Sequence, residues 1–302
     1  MVMAPEYCNQ GKTMSTSTNV INQAASIGVF NSQDGSFVGE VANNTISEVE
    51  GKIDIAVEAF KQAKKLSTHR RMTVLNQVAN MLFEQKELFA QMIAREGIKT
   101  IREARKEVVR CVDTIRLSAE EARRLNGETI AFDQAAGSEN RFGYYRRLPL
   151  GVIVAITPFN DPLNLVAHKI GPAIAAGNSV ILKPDSETPL VAKMLVGLFE
   201  KTDLPEGVLQ LVTGRGSIVG DVLVKDPRVR MVSFTGGREV GENILKLTGL
   251  KKVAMELGSN CPAIILADAD IEQALESTVS GAFWAAGQNC LHVQRIFIQD
   301  DL

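Results

Sequence analysis

The feature that most constrains this chain is a series of short, wholly apolar segments between Gly151 and Gly258, each followed by a stretch of helical period. The segments fall at 152–156, 180–182, 208–212, 231–234 and 253–255, and helices fit between them at 164–176, 190–200, 217–225 and 238–247. A strand that alternates polar and apolar residues has one face in water, whereas a continuous Val/Ile/Leu run must be covered on both faces. Runs of this kind separated by helices predict an α/β fold with a doubly wound parallel sheet. Such sheets take their ligands beyond the carboxyl ends of the strands. Three loops fall there, at 157–164, 183–188 and 235–241.

The flanks read differently. From Ile53 to about Asn126 the pattern is helical: Ile53, Ala56, Phe60 and Ala63 share one face, and Leu75, Val78, Leu82 and Phe89 continue the same kind of stripe. A third helix is expected over 102–125 with Val108, Val112, Ile115 and Ala119 inward, and with Arg102, Glu103, Arg105, Lys106 and Glu107 on a solvated outer face. Asn126-Gly127 stops it. Between 128 and 150, Phe142-Gly143-Tyr144-Tyr145-Arg146-Arg147 alternates weakly, as either a hairpin arm suited to subunit contacts or a pair of surface loops. After Gly258 the α/β pattern restarts, with a strand at 263–266, an acidic helix start at Asp268-Ala269-Asp270 and a helix over 271–286. The expected units are a polar leader over 1–43, a helical part over 44–127, the arm over 128–150, the sheet over 151–258, and an unfinished second α/β domain over 259–302.

Composition excludes several classes. With 33 basic against 35 acidic residues and a net charge of −2, nothing seeks a polyanion, and Arg123-Arg124 and Lys251-Lys252 read as solvated surface. Four cysteines, Cys8, Cys111, Cys261 and Cys290, form neither a disulfide framework nor a CxxC pair. No His/Cys cluster has ligand spacing, so no metal is expected. The leader around Ser15-Thr16-Ser17-Thr18 lacks the features of a signal peptide or presequence, Met14 is an alternative start, and no run is long enough to span a membrane. The expected location is the cytoplasm.

Five places can carry chemistry. Phe234-Thr235-Gly236-Gly237-Arg238-Glu239-Val240-Gly241 follows a strand and opens a helix, which suits either a phosphate at the helix's positive end or an ordinary tight turn. Lys183, in Lys183-Pro184-Asp185-Ser186, can hold a ribose hydroxyl or phosphate, or simply cap its strand in solvent. Glu256 ends a strand; a carboxylate in a partly buried cleft has its pKa raised and serves as a general base, and the alternative is a side chain turned outward. Asn160 lies in the Pro-stiffened Thr157-Pro158-Phe159-Asn160-Asp161-Pro162, as an oxyanion donor or a turn residue. Cys290, in Gly287-Gln288-Asn289-Cys290-Leu291-His292, is placed like a nucleophile at a turn, yet cysteine is also a common core filler. An unperturbed thiol has a pKa of about 8.5, so a nucleophile needs a lowered pKa or a base, with Glu256 and His292 the candidates.

Taken together these residues make a set for oxidising an aldehyde through a thioester, and their motifs resemble the aldehyde dehydrogenase superfamily. Thr157-Pro158-Phe159-Asn160, Lys183-Pro184, Phe234-Thr235-Gly236 with Gly241, Glu256-Leu257-Gly258 and Gly287-Gln288-Asn289-Cys290 carry the resemblance, as does the 34-residue separation of Glu256 from Cys290. The similarity runs from about Val41 to Leu302. It implies that 151–258 is the dinucleotide-binding sheet and 259–302 the start of a catalytic domain. It implies Cys290 as nucleophile, Asn160 and the Cys290 N–H as oxyanion donors, and Glu256 as the base that activates hydrolytic water. The cofactor, NAD or NADP, is implied to contact Thr157, Pro158, Phe159, Lys183, Ser186, Gly216, Phe234, Gly236, Gly237, Val240, Gly241 and Leu257.

Finer expectations follow from the same resemblance. Ser186 stands where many NAD-preferring members carry glutamate, which admits NADP, and Ser259 stands where many have a second glycine. The stretch Phe159 to Lys169 is similar to the branch acting on lactaldehyde, glyceraldehyde phosphate and phosphonoacetaldehyde. The expected substrate is therefore a small hydroxylated or anionic aldehyde, with Arg110, Asp161 and Asn289 as candidate contacts. No nucleic acid or membrane partner is expected, and a homo-oligomer is. The family continues well past its cysteine, whereas twelve residues follow Cys290 here. The chain is thus expected to be a truncated enzyme, unstable or nearly inactive alone. Alternatives are a non-catalytic remnant of the same fold and a dehydrogenase that forms a coenzyme A thioester.

Overall fold

The computed structural model describes residues 25–300 and Leu302. The first part of the expected leader, with Cys8, Met14 and Ser15-Thr16-Ser17-Thr18, lies outside them. Its last part is ordered as an antiparallel hairpin, β1 (Ser26–Phe30) and β2 (Phe37–Ala42). Asp34-Gly35 between apolar-rich segments is a hairpin signal hidden by the polar surroundings, and Gly35 takes φ +72°. Val29 and Val41 pack on Leu190.

The helical stretch consists of four helices, not three: α1 (Ile46–Ala63), α2 (Thr68–Glu84), α3 (Lys86–Glu96) and α4 (Ile101–Glu121). Thr45 with Glu48 and Thr100 with Glu103 form reciprocal capping boxes that start α1 and α4. The stripe from Leu75 to Phe89 breaks at Gln85, whose backbone leaves helical geometry with neither Gly nor Pro to mark it. An arm follows, with β3 (Glu128–Ile130) pairing antiparallel to β4 (Gly143–Tyr145). Gly127 before it is required sterically, because a Cβ there would lie 1.7 Å from the Tyr145 carbonyl oxygen.

The expected α/β alternation then appears. Its elements are β5 (Val152–Ile156), α5 (Asn164–Ala175), β6 (Ser179–Lys183), α6 (Pro189–Phe199), β7 (Leu209–Leu211), α7 (Asp221–Lys225), β8 (Val229–Thr235), α8 (Arg238–Thr248) and β9 (Lys252–Glu256). A five-residue π turn over Gly216–Gly220 precedes α7, so the single helix expected over 217–225 has two geometries. The five strands form one parallel sheet in the order β7-β6-β5-β8-β9. Neighbouring residues of β5 serve opposite layers, as the period of a strand requires. Ile153 and Ala155 join the core of α2 to α6, while Val152 and Val154 join α1, α7 and α8. From β5 the chain adds β6 and β7 on one side and then β8 and β9 on the other. The helices after β5 and β8 therefore diverge to opposite faces and leave a crevice at their carboxyl ends.

Two buried carboxylates tie the helical layer to this crevice. Glu107, expected on a solvated face, is fully buried: its Oε1 accepts the N–H groups of Leu163 and Asn164 at 2.9 and 3.0 Å and so caps α5. Glu96 does the same for α6, accepting from Leu190 and Val191 at 2.7 and 2.8 Å. An anion at a helix N-terminus satisfies donors that have no helical partner. Hydrophobic period alone could not find these two residues, because both replace a local side-chain cap from a distant helix.

The last segment holds β10 (Cys261–Ile265), α9 (Ile271–Phe283) and β11 (Val293–Ile298), with β10 and β11 paired in parallel. The helix expected to reach 286 stops at Phe283. Ala285 and Ala286 take φ +52° and +56°, a region costly for residues with a Cβ. A tertiary contact holds them there, since Ala285 is buried and its N–H donates to Glu103 Oε1 at 3.0 Å.

Candidate active site

Two clefts meet at the carboxyl ends of the sheet. The larger, about 540 Å³, fills the crevice between β5 and β8. Thr157, Pro158 and Phe159 line it after β5, and Lys183 and Ser186 after β6. Phe234, Gly236, Gly237 and Val240 line it from the end of β8 and the start of α8, and Gly216 from the π turn. Gly241 and Leu257 do not line it. Gly241 is buried in α8 with Leu257 packed where its Cβ would stand, 2.6 Å away, and Leu257 faces the smaller cleft.

The larger cleft offers donors for anions and hydroxyls beside the carboxylates of Asp185, Asp221 and Glu239. Lys183 is buried, and burial pushes its ammonium below its ordinary pKa while Asp185 opposes the shift. Its Nζ donates to the Pro184 carbonyl at 2.9 Å, and an ammonium carries three donors. Thr157 Oγ1 is buried without a partner among the described residues. Gly237 leads into the N-terminus of α8 with open space where a Cβ would stand, so backbone N–H groups are accessible to a phosphate. Ser186 Oγ donates to the Gly214 carbonyl at 3.2 Å and brings no carboxylate into the cleft.

The smaller cleft, about 320 Å³, shares Pro158, Phe159, Thr235, Gly236 and Gly237 with the larger one. Asn160, Glu256 and Cys290 all line it, together with Asn289 and His292. Asn160 is mostly buried, and its Oδ1 has no partner among the described residues. Cys290 is exposed, its thiol donating to Asn289 Oδ1 at 3.6 Å. Asn289 Oδ1 also accepts from the Leu291 N–H at 2.9 Å, so this side chain shapes the turn that carries the cysteine. Glu256 is exposed at the end of β9, and the partly buried setting anticipated for it is not found.

Residues 20–302 match the family model described as the Aldehyde dehydrogenase family. The chain belongs to that family. It is 50% identical over 272 residues to aspartate-semialdehyde dehydrogenase 1 of Pseudomonas canavaninivorans, covering 90% of this chain and 58% of that protein. It is 44% identical over 263 residues to 3-sulfolactaldehyde dehydrogenase of Priestia megaterium, covering 87% and 55%. Among solved structures it superposes with a TM-score of 0.88 on NADP-dependent glyceraldehyde-3-phosphate dehydrogenase from Bacillus halodurans complexed with NADP, at 40% identity and with 91% and 58% of the two chains covered. The chain thus spans little more than half the length of these relatives.

Two substrate candidates in this aldehyde dehydrogenase sequence lie elsewhere. Asp161 is buried and paired with Lys99, whose Nζ also lies 2.7 Å from Glu107 Oε2. Its carboxylate is committed to this internal ion cluster, where an unpaired charge would be costly. Arg110 lines neither cleft; its guanidinium reaches to 3.9 Å from Asp161 Oδ2. His292 lines the smaller cleft with Nδ1 against the Asn289 carbonyl, which occupies one of its ring nitrogens.

Lys169 was not anticipated. It is buried on α5, its Nζ donating to Ser233 Oγ at 3.1 Å. Burial pushes its pKa from 10.5 down to about 8, and the negative charge of Glu256 opposes that shift. The expected carboxylate base therefore has within electrostatic reach an ammonium that stays mostly charged at neutral pH and gives up its proton more readily than an ordinary lysine. Its sequence signal was slight, one cation beside His168 in the middle of the largely apolar α5.

Proposed function

We propose that this chain carries the cofactor cleft and the nucleophile of an NAD(P)-dependent aldehyde dehydrogenase that oxidises a small anionic or hydroxylated aldehyde to its acid. The observation that carries this reading is the shared lining: Asn160 and Cys290 from two separate loops and Glu256 from the end of β9 face one cleft that opens on the cofactor-sized one. Lys183, Ser186, Thr157 and the Gly236-Gly237 backbone would hold the dinucleotide, which when bound supplies a hydride acceptor. The Cys290 thiolate adds to the aldehyde carbon. The Asn160 amide and the Cys290 N–H donate to the developing oxyanion, an interaction worth about 3–4 kcal/mol in enzymes that use one. Loss of hydride from this adduct, for which the bound dinucleotide would be the acceptor, leaves Cys290 acylated. Glu256 then takes a proton from the water that attacks the acyl carbon, and the carbon–sulfur bond breaks to release the acid and the Cys290 thiolate. A positioned carboxylate on this route favours free acid over transfer to coenzyme A.

The absence of a carboxylate at Ser186 leaves room for a 2′-phosphate, and the relative from Bacillus halodurans is named as NADP-dependent. The relatives named as aspartate-semialdehyde, 3-sulfolactaldehyde and glyceraldehyde-3-phosphate dehydrogenases share a small aldehyde bearing an anionic group. A homo-oligomer joined through the β3–β4 arm and a cytoplasmic location belong to the same proposal. Among the described residues no helix is long and apolar enough to cross a membrane.

The test separates binding from chemistry. Calorimetric titration of the chain with NAD and with NADP should show binding, weakened about tenfold or more (~1.4 kcal/mol) by Lys183→Ala. Incubation with cofactor and a panel of small anionic aldehydes should then acylate Cys290, detected as a mass increase on its peptide. Glu256→Gln should let that acyl group accumulate. Acylation of a Cys290→Ala variant to the same extent would remove the cysteine from its role.

A further inference from the structure

We infer that Cys261 is a second, resolving thiol that closes a reversible disulfide with Cys290 when the nucleophile is oxidised. The two residues stand 29 positions apart in sequence, yet the pairing of β10 with β11 sets Cys261 opposite Val293, three residues beyond Cys290. Cys261 Sγ lies 3.7 Å from the backbone carbonyl oxygen of Cys290. The Ser259 hydroxyl bridges them, 3.1 Å from Cys261 Sγ and in contact with the same Cys290 carbonyl. Ser259, the departure from a second glycine noted in the sequence, thus has a hydroxyl at the junction of the two cysteines. Cys290 is exposed and Cys261 partly so, whereas Cys111 is fully buried, and burial raises its thiol pKa.

An accessible nucleophilic thiolate is also the site a peroxide attacks. The Cys290 thiolate takes one oxygen from a hydroperoxide, giving sulfenic acid at sulfur and an alcohol, or water from hydrogen peroxide, as the reduced product. The Cys261 thiol then attacks the Cys290 sulfur: an S–S bond forms, the S–O bond breaks, and water leaves with the Cys261 proton. Two electrons have passed from the pair of thiols to the O–O bond. A dithiol reductant returns them and restores Cys290. Without Cys261 the sulfenic acid stays open to a second oxidation, which is irreversible.

This rests on the reading of Cys290 as the reactive thiol. The experiment therefore follows sulfur oxidation, not aldehyde turnover, so failure of one is distinguishable from failure of the other. The reduced chain is exposed to hydrogen peroxide at low protein concentration and digested without reduction. The expected product is a peptide pair joined through Cys261 and Cys290, lost on treatment with dithiothreitol. In Cys261→Ser, Cys290 should instead be captured by dimedone, and its conversion to sulfinic acid should rise several-fold. Should Cys290 reach sulfinic acid at the same rate in both proteins with no joined peptide, Cys261 is not the resolving thiol. Dimedone labelling absent from both would also overturn the proposal, as would joining found only between two copies of the chain.

Discussion

α6 and α9 are both helices with abundant apolar residues, and they have opposite fates. On α6, Leu190, Val191, Ala192, Leu195, Val196, Leu198 and Phe199 are all buried. On α9 no residue is buried, although Ile271, Leu275, Val279 and Phe283 recur at the spacing of one face and are 49 to 72% exposed. β10 and β11 repeat the contrast with β5 and β6: Ile264, Phe297 and Ile298 are exposed, whereas Val154, Ile181 and Leu182 are closed in from both sides. A helix gains most of its stability from packing an apolar face, so 151–258 is held by its own helices together with α1 to α4, and 259–302 by little more than the β10–β11 ladder, the contact of Ala285 with α4 and the Lys99 and Lys106 cations over the Trp284 ring. The candidate site straddles this boundary. Asn160 belongs to the firmly held side, Glu256 ends its last strand, and Cys290 hangs from the loosely held side.

The largest expected effect is in amide exchange. β5 and β6 should open only with the whole fold, at about 5–15 kcal/mol for a domain of ordinary stability. The α9 amides should exchange by local opening, a gap of about 4 kcal/mol or more, on the order of a thousandfold in protection. Exchange mass spectrometry measures both at once. Equal protection of α9 and β6 would break the comparison.

Truncating side chains sharpens the same contrast. Ile181→Ala removes a fully buried side chain and should cost about 2–5 kcal/mol in denaturant unfolding. Leu275→Ala, at an exposed position of similar apolarity, should change global stability by no more than about 0.5 kcal/mol. A comparable loss at both positions would show that α9 has a covering partner in solution.

Glu96 offers a test by pH inside the firmly held region. Burial, aided by the charge of Glu107, pushes its pKa from 4.5 up to about 7, against the opposing pull of the Leu190 and Val191 N–H groups. The folded state therefore holds a proton that the unfolded chain releases between pH 4.5 and 7. Stability from this group is full below pH 4.5, falls as pH rises through 7, and stays low above it. The fall amounts to about 3 kcal/mol. Glu96→Gln should flatten that part of the stability profile, measured by urea unfolding across the range, while weakening the α6 cap at low pH. A profile unchanged by the substitution would show that the carboxyl group does not titrate there.

These contrasts also mark what the sequence could and could not disclose. Continuous apolar runs announced β5 and β6 because a strand covered on both faces needs no alternation, whereas β9, announced by the same sign, is an edge strand with Val253 exposed. The last residues of two strands, Lys183 and Glu256, and the loop residue Asn160 were found because the topology leaves a crevice at the carboxyl ends. Glu107 was misjudged because whether a charge faces solvent depends on a partner such as Lys99 that arrives from another segment, and the pairing of Asp161 with the same lysine was illegible for that reason. The left-handed turn at Ala285 was illegible for the same reason, since Glu103 on α4 imposes it against local preference. Lys169 needed the structure too, because its position near Glu256 comes from the packing of α5 on the sheet.

The smallest effect concerns helix caps and isolates the boundary most cleanly, because one local interaction recurs on both sides of it. Thr100 caps α4 by accepting from the Glu103 N–H, and Asp270 caps α9 by accepting from the Gln273 N–H at 3.1 Å. Replacing either by alanine removes a similar hydrogen bond, worth about 1 kcal/mol to its helix. α4 carries eight buried residues and unfolds with the core, so Thr100→Ala should lower global stability by that amount. α9 opens on its own, so Asp270→Ala should leave the global unfolding midpoint unchanged and appear only as faster exchange within α9. If the two substitutions shift the midpoint equally, α9 belongs to the cooperative unit, and Cys290 is held as firmly as Asn160.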